Sequence, residues 1–129
     1  MRRFDLETYL TTVEKYNVTD LAMVPPIVIA ILMSPLSQKR PYLRKARMAG
    51  CGAAPLDKNV QARFRSLMGD NAPFTQVWGM TETSCIATMF PHPEHDDTGS
   101  VGRLIPNLEA KCVSSNPPAK CVASCQIRD

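Results

Sequence analysis

Apolar positions recur along the first segment at helical spacing. Leu6, Tyr9, Leu10 and Val13 share one face of a helix that Asp5 can cap and Asn17 can stop. Val18 to Val24 then reads as a short buried strand, closed by Pro25-Pro26, neither of which can donate to a ladder. Proline is comfortable in a first helical turn, so Ile27 to Met33 begins a second helix. Ser34 to Pro41 reads as a loop. Ala46 to Ala49 looks like a second strand entering the turn Gly50-Cys51-Gly52. Asp57 can cap the next helix, whose Val60, Phe64, Leu67 and Met68 share a face and whose end is marked by Gly69. Phe74 to Trp78 reads as a third strand running into a turn at Gly79. Pro91 to Gly99 is polar and turn-rich, and one more strand is expected near Leu108 to Lys111. Residues 113–129 show little period of either kind and are expected to form a divergent, disordered tail.

Strand, helix, strand, helix, strand predicts an α/β fold, a partial parallel sheet of βαβ units joined by right-handed crossovers. Ligands of such sheets bind beyond the carboxyl ends of the strands. Two loops of unusual composition begin at those ends. One is Gly50-Cys51-Gly52-Ala53-Ala54-Pro55-Leu56; the other lies within Gln76-Val77-Trp78-Gly79-Met80-Thr81-Glu82-Thr83.

Length and charge narrow the field. A chain of 129 residues has room for one domain, and 44% hydrophobic residues is ordinary for a globular protein. A net charge of +3 is too mild to argue for a nucleic-acid partner. No apolar run reaches the roughly 20 residues that a membrane helix needs. Arg2 and Arg3 are followed by Asp5 and Glu7, with no apolar signal core, and the final Gln-Ile-Arg-Asp is no peroxisomal address, so a cytoplasmic protein is expected. The five cysteines are odd in number and irregularly spaced, which favours reduced thiols. Cys121 and Cys125 can face one side of a helix, but a zinc site would need further ligands; His92 and His95 are distant in sequence. Cys51 and Cys85 have no histidine near them in sequence and read as small packing residues. Lys39-Arg40 and Arg44-Lys45-x-Arg47 form a basic run that reads as a solvated loop, with contact to ligand phosphates as a minor alternative.

The two loops carry the chemistry. Trp78 can stack on a purine, and the loop Gly52-Ala53-Ala54-Pro55 has no bulk to block the other face of such a slot. Thr81 can donate to a phosphate oxygen, and Glu82 can hold Mg²⁺, a hard cation that prefers carboxylate, water and phosphate oxygens. Each feature also has a plain structural reading. Trp78 alone fits a core aromatic at a strand end, Thr81 a helix cap and the glycine turn a tight strand-to-helix connection.

In order and spacing, the two loops resemble those of the adenylate-forming superfamily, specifically the AMP-forming acyl-CoA synthetases and 4-coumarate–CoA ligases. There the first motif usually reads Ser-Gly-Ala-Ala-Pro-Leu and the second Gly-Tyr-Gly-Met-Thr-Glu. Gly52 to Leu56 and Gly79 to Glu82 match outright; Cys51, Val77 and Trp78 replace serine, glycine and tyrosine. Val24-Pro25-Pro26 and Gly99-Ser100-Val101-Gly102-Arg103-Leu104 also resemble the family, so the likeness runs from about Phe4 to Lys111. The resemblance implies a partial AMP-binding domain over residues 1–112, a slice of the large N-terminal domain of such an enzyme. It implies ATP or AMP as ligand at Gly52, Ala53, Ala54, Pro55, Gln76, Trp78, Gly79, Met80 and Thr81. Thr81 and Glu82 would serve in catalysis, and Glu82 would hold Mg²⁺, with CoA and a carboxylic acid as the other reactants. The family's phosphate loop with its lysine, its Tyr-x-Thr-Gly-Asp segment and the lysine of its small C-terminal domain do not occur in the sequence. The expectation is therefore a truncated ligase that is inactive alone. The alternative is a non-catalytic remnant that binds nucleotide weakly or associates with a longer homologue.

Overall fold

The computed structural model describes residues 3–113 and 120–124. Three parallel strands organise it: β1 (Asp20–Met23), β2 (Met48–Cys51) and β3 (Phe74–Gln76), in the order β1-β2-β3. Asp20 pairs with Met48 and Met23 with Cys51; Ala49 pairs with Phe74 and Cys51 with Gln76. Helix α1 (Leu6–Lys15) precedes the sheet. Its cap is Asp5, whose carboxylate accepts from the Thr8 amide at 2.8 Å. Helices α2 (Pro25–Met33) and α3 (Pro35–Lys39) connect β1 to β2, and α4 (Lys58–Arg65) connects β2 to β3. Asp57 caps α4 by accepting from the Asn59 amide at 2.8 Å.

Both crossovers step in the same direction across the sheet. Right-handed connections must then place α2 and α4 on the same face, and the two helices touch. Leu21, Met23, Ala49, Cys51 and Phe74 point into a core completed by Leu10, Val13, Val28, Ile31 and Phe64. The Phe64 and Phe74 rings stack tilted at 4.7 Å between centroids, fastening α4 to β3. The opposite face carries Asp20, Ala22 and Val24, all exposed, and half-buried Met48 and Gly50. A parallel sheet is normally covered on both faces; among the described residues only one face lies under helices, and this exposure shapes the site.

Beyond β3 the chain turns through a 3₁₀ helix, Thr81–Thr83, into β4 (Thr88–Met89), which pairs antiparallel with β5 (Arg103–Leu104). A last hairpin joins β6 (Glu109–Val113) to β7 (Lys120–Ser124).

Several elements differ from the sequence reading. β2 begins two residues later than expected and runs through Gly50-Cys51, because ladders on both sides hold those residues extended whatever their own turn preference. Ser34 to Pro41 is not all loop: Ser34 caps α3 by accepting from the Leu36 amide at 3.2 Å, with Pro35 in the first turn. β3 ends at Gln76, and Trp78 instead bridges antiparallel to Thr88. The strand expected near Leu108 to Lys111 is β6. Part of the expected tail, Lys120–Ser124, is a strand, so Cys121 does not sit on a helix; residues 114–119 and 125–129 lie outside the described residues.

Candidate functional site

Because β2 and β3 are neighbours and parallel, the two loops that leave their carboxyl ends must lie side by side. The amide of Val77 donates to the Cys51 carbonyl at 2.9 Å, and an added Cβ at Gly52 would stand 2.8 Å from Val77 Cγ2. Ala53 then adopts a left-handed backbone, φ 70°, which bends the first loop away from the sheet.

The second loop is held by its own hydrogen bonds. The Thr83 hydroxyl, on a residue 4% exposed, accepts from the Met80 amide at 3.1 Å and donates to the Met80 carbonyl at 3.0 Å. Ser84 (φ 56°) and Cys85 (φ 98°) reverse the chain, and the Cys85 amide returns to the Met80 carbonyl at 3.2 Å. Ala87 and Thr88 donate to the Trp78 carbonyl at 2.8 and 2.9 Å. This curl brings Ile86 and Met89 over the uncovered sheet face.

The result is one open cleft of about 800 Å³. Its floor is the uncovered sheet face at Ala22, Val24, Met48 and Gly50; its walls include Gly52, Ala53, Val77, Gly79, Met80 and Thr81. The surface is mainly apolar, with Asp20 and Thr81 among its polar members. The Asp20 carboxylate accepts from the Thr19 hydroxyl at 2.6 Å.

Of the residues singled out from sequence, Gly52, Ala53, Gly79, Met80 and Thr81 line this cleft together. Ala54 and Pro55 are exposed on the loop beyond them. Trp78 is half-buried behind Val77 in sequence and does not line the cleft. Glu82 is exposed in the 3₁₀ turn next to Thr81. Gln76 faces the helix side of the sheet, 3% exposed, with its amide bonded to the Leu56 backbone. A single exposed carboxylate suits Mg²⁺, which takes one or two carboxylates and completes its shell with water and substrate phosphate. Among the described residues no group of three or more potential metal ligands comes together.

The sequence reading missed Asp20, Met48, Ser84, Ile86 and Met89 as cleft residues. Strand alternation carried the signal for the first: Asp20, Ala22 and Val24 share a face by period two. Cys85 was read as a packing residue; it is exposed and lines the cleft. Cys51 does pack in the core, and burial pushes its thiol pKa up to about 11. Asp96 shapes the neighbouring loop: burial raises its pKa, but bonds from the Thr98 hydroxyl (2.7 Å) and the Gly99 and Ser100 amides (2.8 and 2.9 Å) outweigh this and lower it. A second, polar hollow of about 470 Å³ lies on the amino-end side of β2 and β3, lined in part by Arg44, Arg47, Asp70 and His92.

These features define a class: an α/β protein whose glycine-bearing loops close one crevice at the carboxyl ends of a parallel sheet. Comparison with known proteins narrows it. The AMP-binding enzyme family model matches residues 1–122, and the chain belongs to that family. The match extends past Lys111, where the sequence resemblance had been taken to end, into β7. Acyl-CoA ligase azaF of Aspergillus niger is 55% identical over 117 residues, 90% of this chain and 22% of the relative. Phenylacetyl-CoA ligase epaB of Aspergillus niger is 56% identical over the same shares. 4-Coumarate–CoA ligase-like 9 of Arabidopsis thaliana is 41% identical over 92% of this chain and 22% of that protein. The chain thus spans about a fifth of the length of these relatives. In fold it resembles the long-chain-fatty-acid–CoA ligase FadD1 of Archaeoglobus fulgidus, TM-score 0.74 at 20% identity, covering 92% of this chain and 25% of that one. It also resembles the anthranilate–CoA ligase AuaEII, crystallised with anthranoyl-AMP, TM-score 0.72 at 19% identity, over 85% and 20% of the two chains.

Proposed function

We propose that the cleft is the adenylate-facing part of an acid–CoA ligase, which activates a carboxylic acid with ATP, releases pyrophosphate and passes the acyl group to CoA. The observation that supports this best is the convergence of Gly52, Ala53, Gly79, Met80 and Thr81 on one crevice. In this reading the backbone at Gly52–Ala53 and Gly79–Met80 frames the nucleotide and the Thr81 hydroxyl donates to the α-phosphate. Glu82 would hold Mg²⁺, which when bound would supply positive charge to offset that of the phosphates. Trp78, half-buried and not among the cleft-lining residues, belongs to this reading only through the backbone of its loop. The apolar lining at Val24, Met48, Ile86 and Met89 suits an apolar or aromatic acyl group.

The 129 residues alone do not turn over in this account, since the groups that orient ATP and supply positive charge are not among them. Calorimetry with AMP and a non-hydrolysable acyl-adenylate tests the site: binding lost in Thr81→Val supports it. Pyrophosphate release by the chain alone, dependent on ATP and acid, would contradict the account of turnover. A second reading, association with a longer homologue, is favoured by the exposed sheet face at Ala22 and Val24. Sedimentation of the chain mixed with a full-length relative checks it: co-migration supports association and independent migration opposes it.

A further inference from the structure

We propose that Gln76 and Gln61 form a positioning pair that sets the first cleft loop, so that Gln76 acts on a bound nucleotide through the backbone of Leu56 without touching it. This rests on the nucleotide reading of the cleft. Both glutamines are 3% exposed, and a buried amide must find partners. Gln76 Oε1 accepts from the Leu56 amide at 2.9 Å and its Nε2 donates to the Leu56 carbonyl at 2.8 Å. The side chain thus pairs with a backbone residue as a strand neighbour would, and satisfies both polar groups of a residue that is itself 7% exposed.

Gln61 fixes which way round Gln76 sits. Its Nε2 donates to the Phe74 carbonyl at 3.0 Å and to the Asp96 carbonyl at 2.9 Å, which uses both hydrogens. Its Oε1 is left to accept from Gln76 Nε2 at 3.1 Å. Reversing the Gln76 amide would set donor against donor at Leu56 and acceptor against acceptor at Gln61. A longer contact from Gln76 Nε2 to the Gly99 carbonyl, 3.4 Å, ties in the turn that Asp96 organises. Gln76 stands at the end of β3, immediately before the second loop, and Leu56 ends the first. One amide therefore registers the two cleft walls against each other, and α4 supplies the group that orients it.

The test uses the full chain. Gln76→Met keeps volume and removes the clasp; Gln61→Met keeps the Leu56 bonds available but frees the Gln76 amide to turn. Amide hydrogen exchange at Leu56, with Val77 as internal reference, and AMP affinity by calorimetry are read together. The expected result for Gln76→Met is exchange at Leu56 faster by about tenfold and AMP binding weaker by about tenfold, with Val77 unchanged. Gln61→Met should shift both in the same direction by less, and it carries the test if Gln76→Met does not fold. Weaker AMP binding with Leu56 exchange unchanged would overturn the proposal, because Gln76 would then be touching the ligand. Both quantities unchanged in either variant would also overturn it. If the unsubstituted chain binds no AMP, the nucleotide reading fails, and Leu56 exchange alone then decides whether the clasp exists.

Discussion

Replacing Gly79 with alanine should dislodge the second loop. A Cβ at this position would overlap the Cys85 carbonyl oxygen and would lie 2.6 Å from its carbon and 2.8 Å from Ile86 Cα. Ordinary contact begins near 3.4 Å, so the Cys85 backbone must retreat by at least about 0.8 Å from the carbon contact alone. All three obstructing atoms are backbone, so no rotamer change relieves the clash. The retreat pulls directly on the Cys85-to-Met80 bond at 3.2 Å and on the Ala87-to-Trp78 bond at 2.8 Å. Losing those two bonds costs about 2 kcal/mol, and residual overpacking adds about 1 kcal/mol or more. A total of about 3 kcal/mol is a large share of the roughly 5–15 kcal/mol that holds a domain folded. Urea unfolding followed by fluorescence of the single tryptophan, Trp78, reads the change, with an expected midpoint shift of about 1–2 M. AMP binding should vanish in parallel. An alanine variant whose stability lies within about 0.5 kcal/mol of the parent, with cleft binding intact, would refute the packing argument.

Three further predictions concern thiol and carboxyl groups. Cys85 is exposed and Cys51 buried, so a thiol reagent at pH 8 should label Cys85 promptly in the native chain and Cys51 only on unfolding; equal rates would contradict the core placement. The Cys51 pKa rises from 9.0 to about 11 on folding, so the unfolded state ionises first: its contribution is intact below pH 9 and is lost as pH climbs toward 11. A Cys51→Ala variant should therefore show a flatter fall in stability over that interval. Asp96 has the opposite sign. Its pKa is lowered, so its bonds to Thr98, Gly99 and Ser100 support the loop above the ordinary carboxylate value of 3.8 and are lost as pH falls below it. Protection of the Gly99 and Ser100 amides, taken relative to their intrinsic exchange rate at each pH, should fall as pH drops below 3.8 in the parent, while Asp96→Asn should lack that protection at every pH; a parent loop whose protection is indifferent to acid would oppose this.

The sequence carried the skeleton of this fold because its strongest local signals agree with its tertiary ones. Asp5 and Asp57 cap where capping residues should, and the helical faces through Leu10 and Phe64 are the faces that pack. The paired loops were legible because strand ends, glycine and small residues coincide there. What escaped notice depends on which side of the sheet stays uncovered. That follows from strand order, which composition does not reveal: only with the order β1-β2-β3 do both helices fall on one face and leave Asp20, Ala22 and Val24 to floor a cleft. Gln76 shows the same limit at one residue. Its place in the motif suggested contact with a ligand, whereas strand alternation turns it inward, to Leu56.

The central claim is that nucleotide occupies the crevice between the two loops. Titration of isotope-labelled chain with AMP, followed by backbone amide resonances, tests it most directly. The account predicts saturable shifts concentrated at Gly52, Ala53, Gly79, Met80 and Thr81. Shifts confined to the polar hollow at Arg44, Arg47 and His92, or none at all at millimolar AMP, would contradict it.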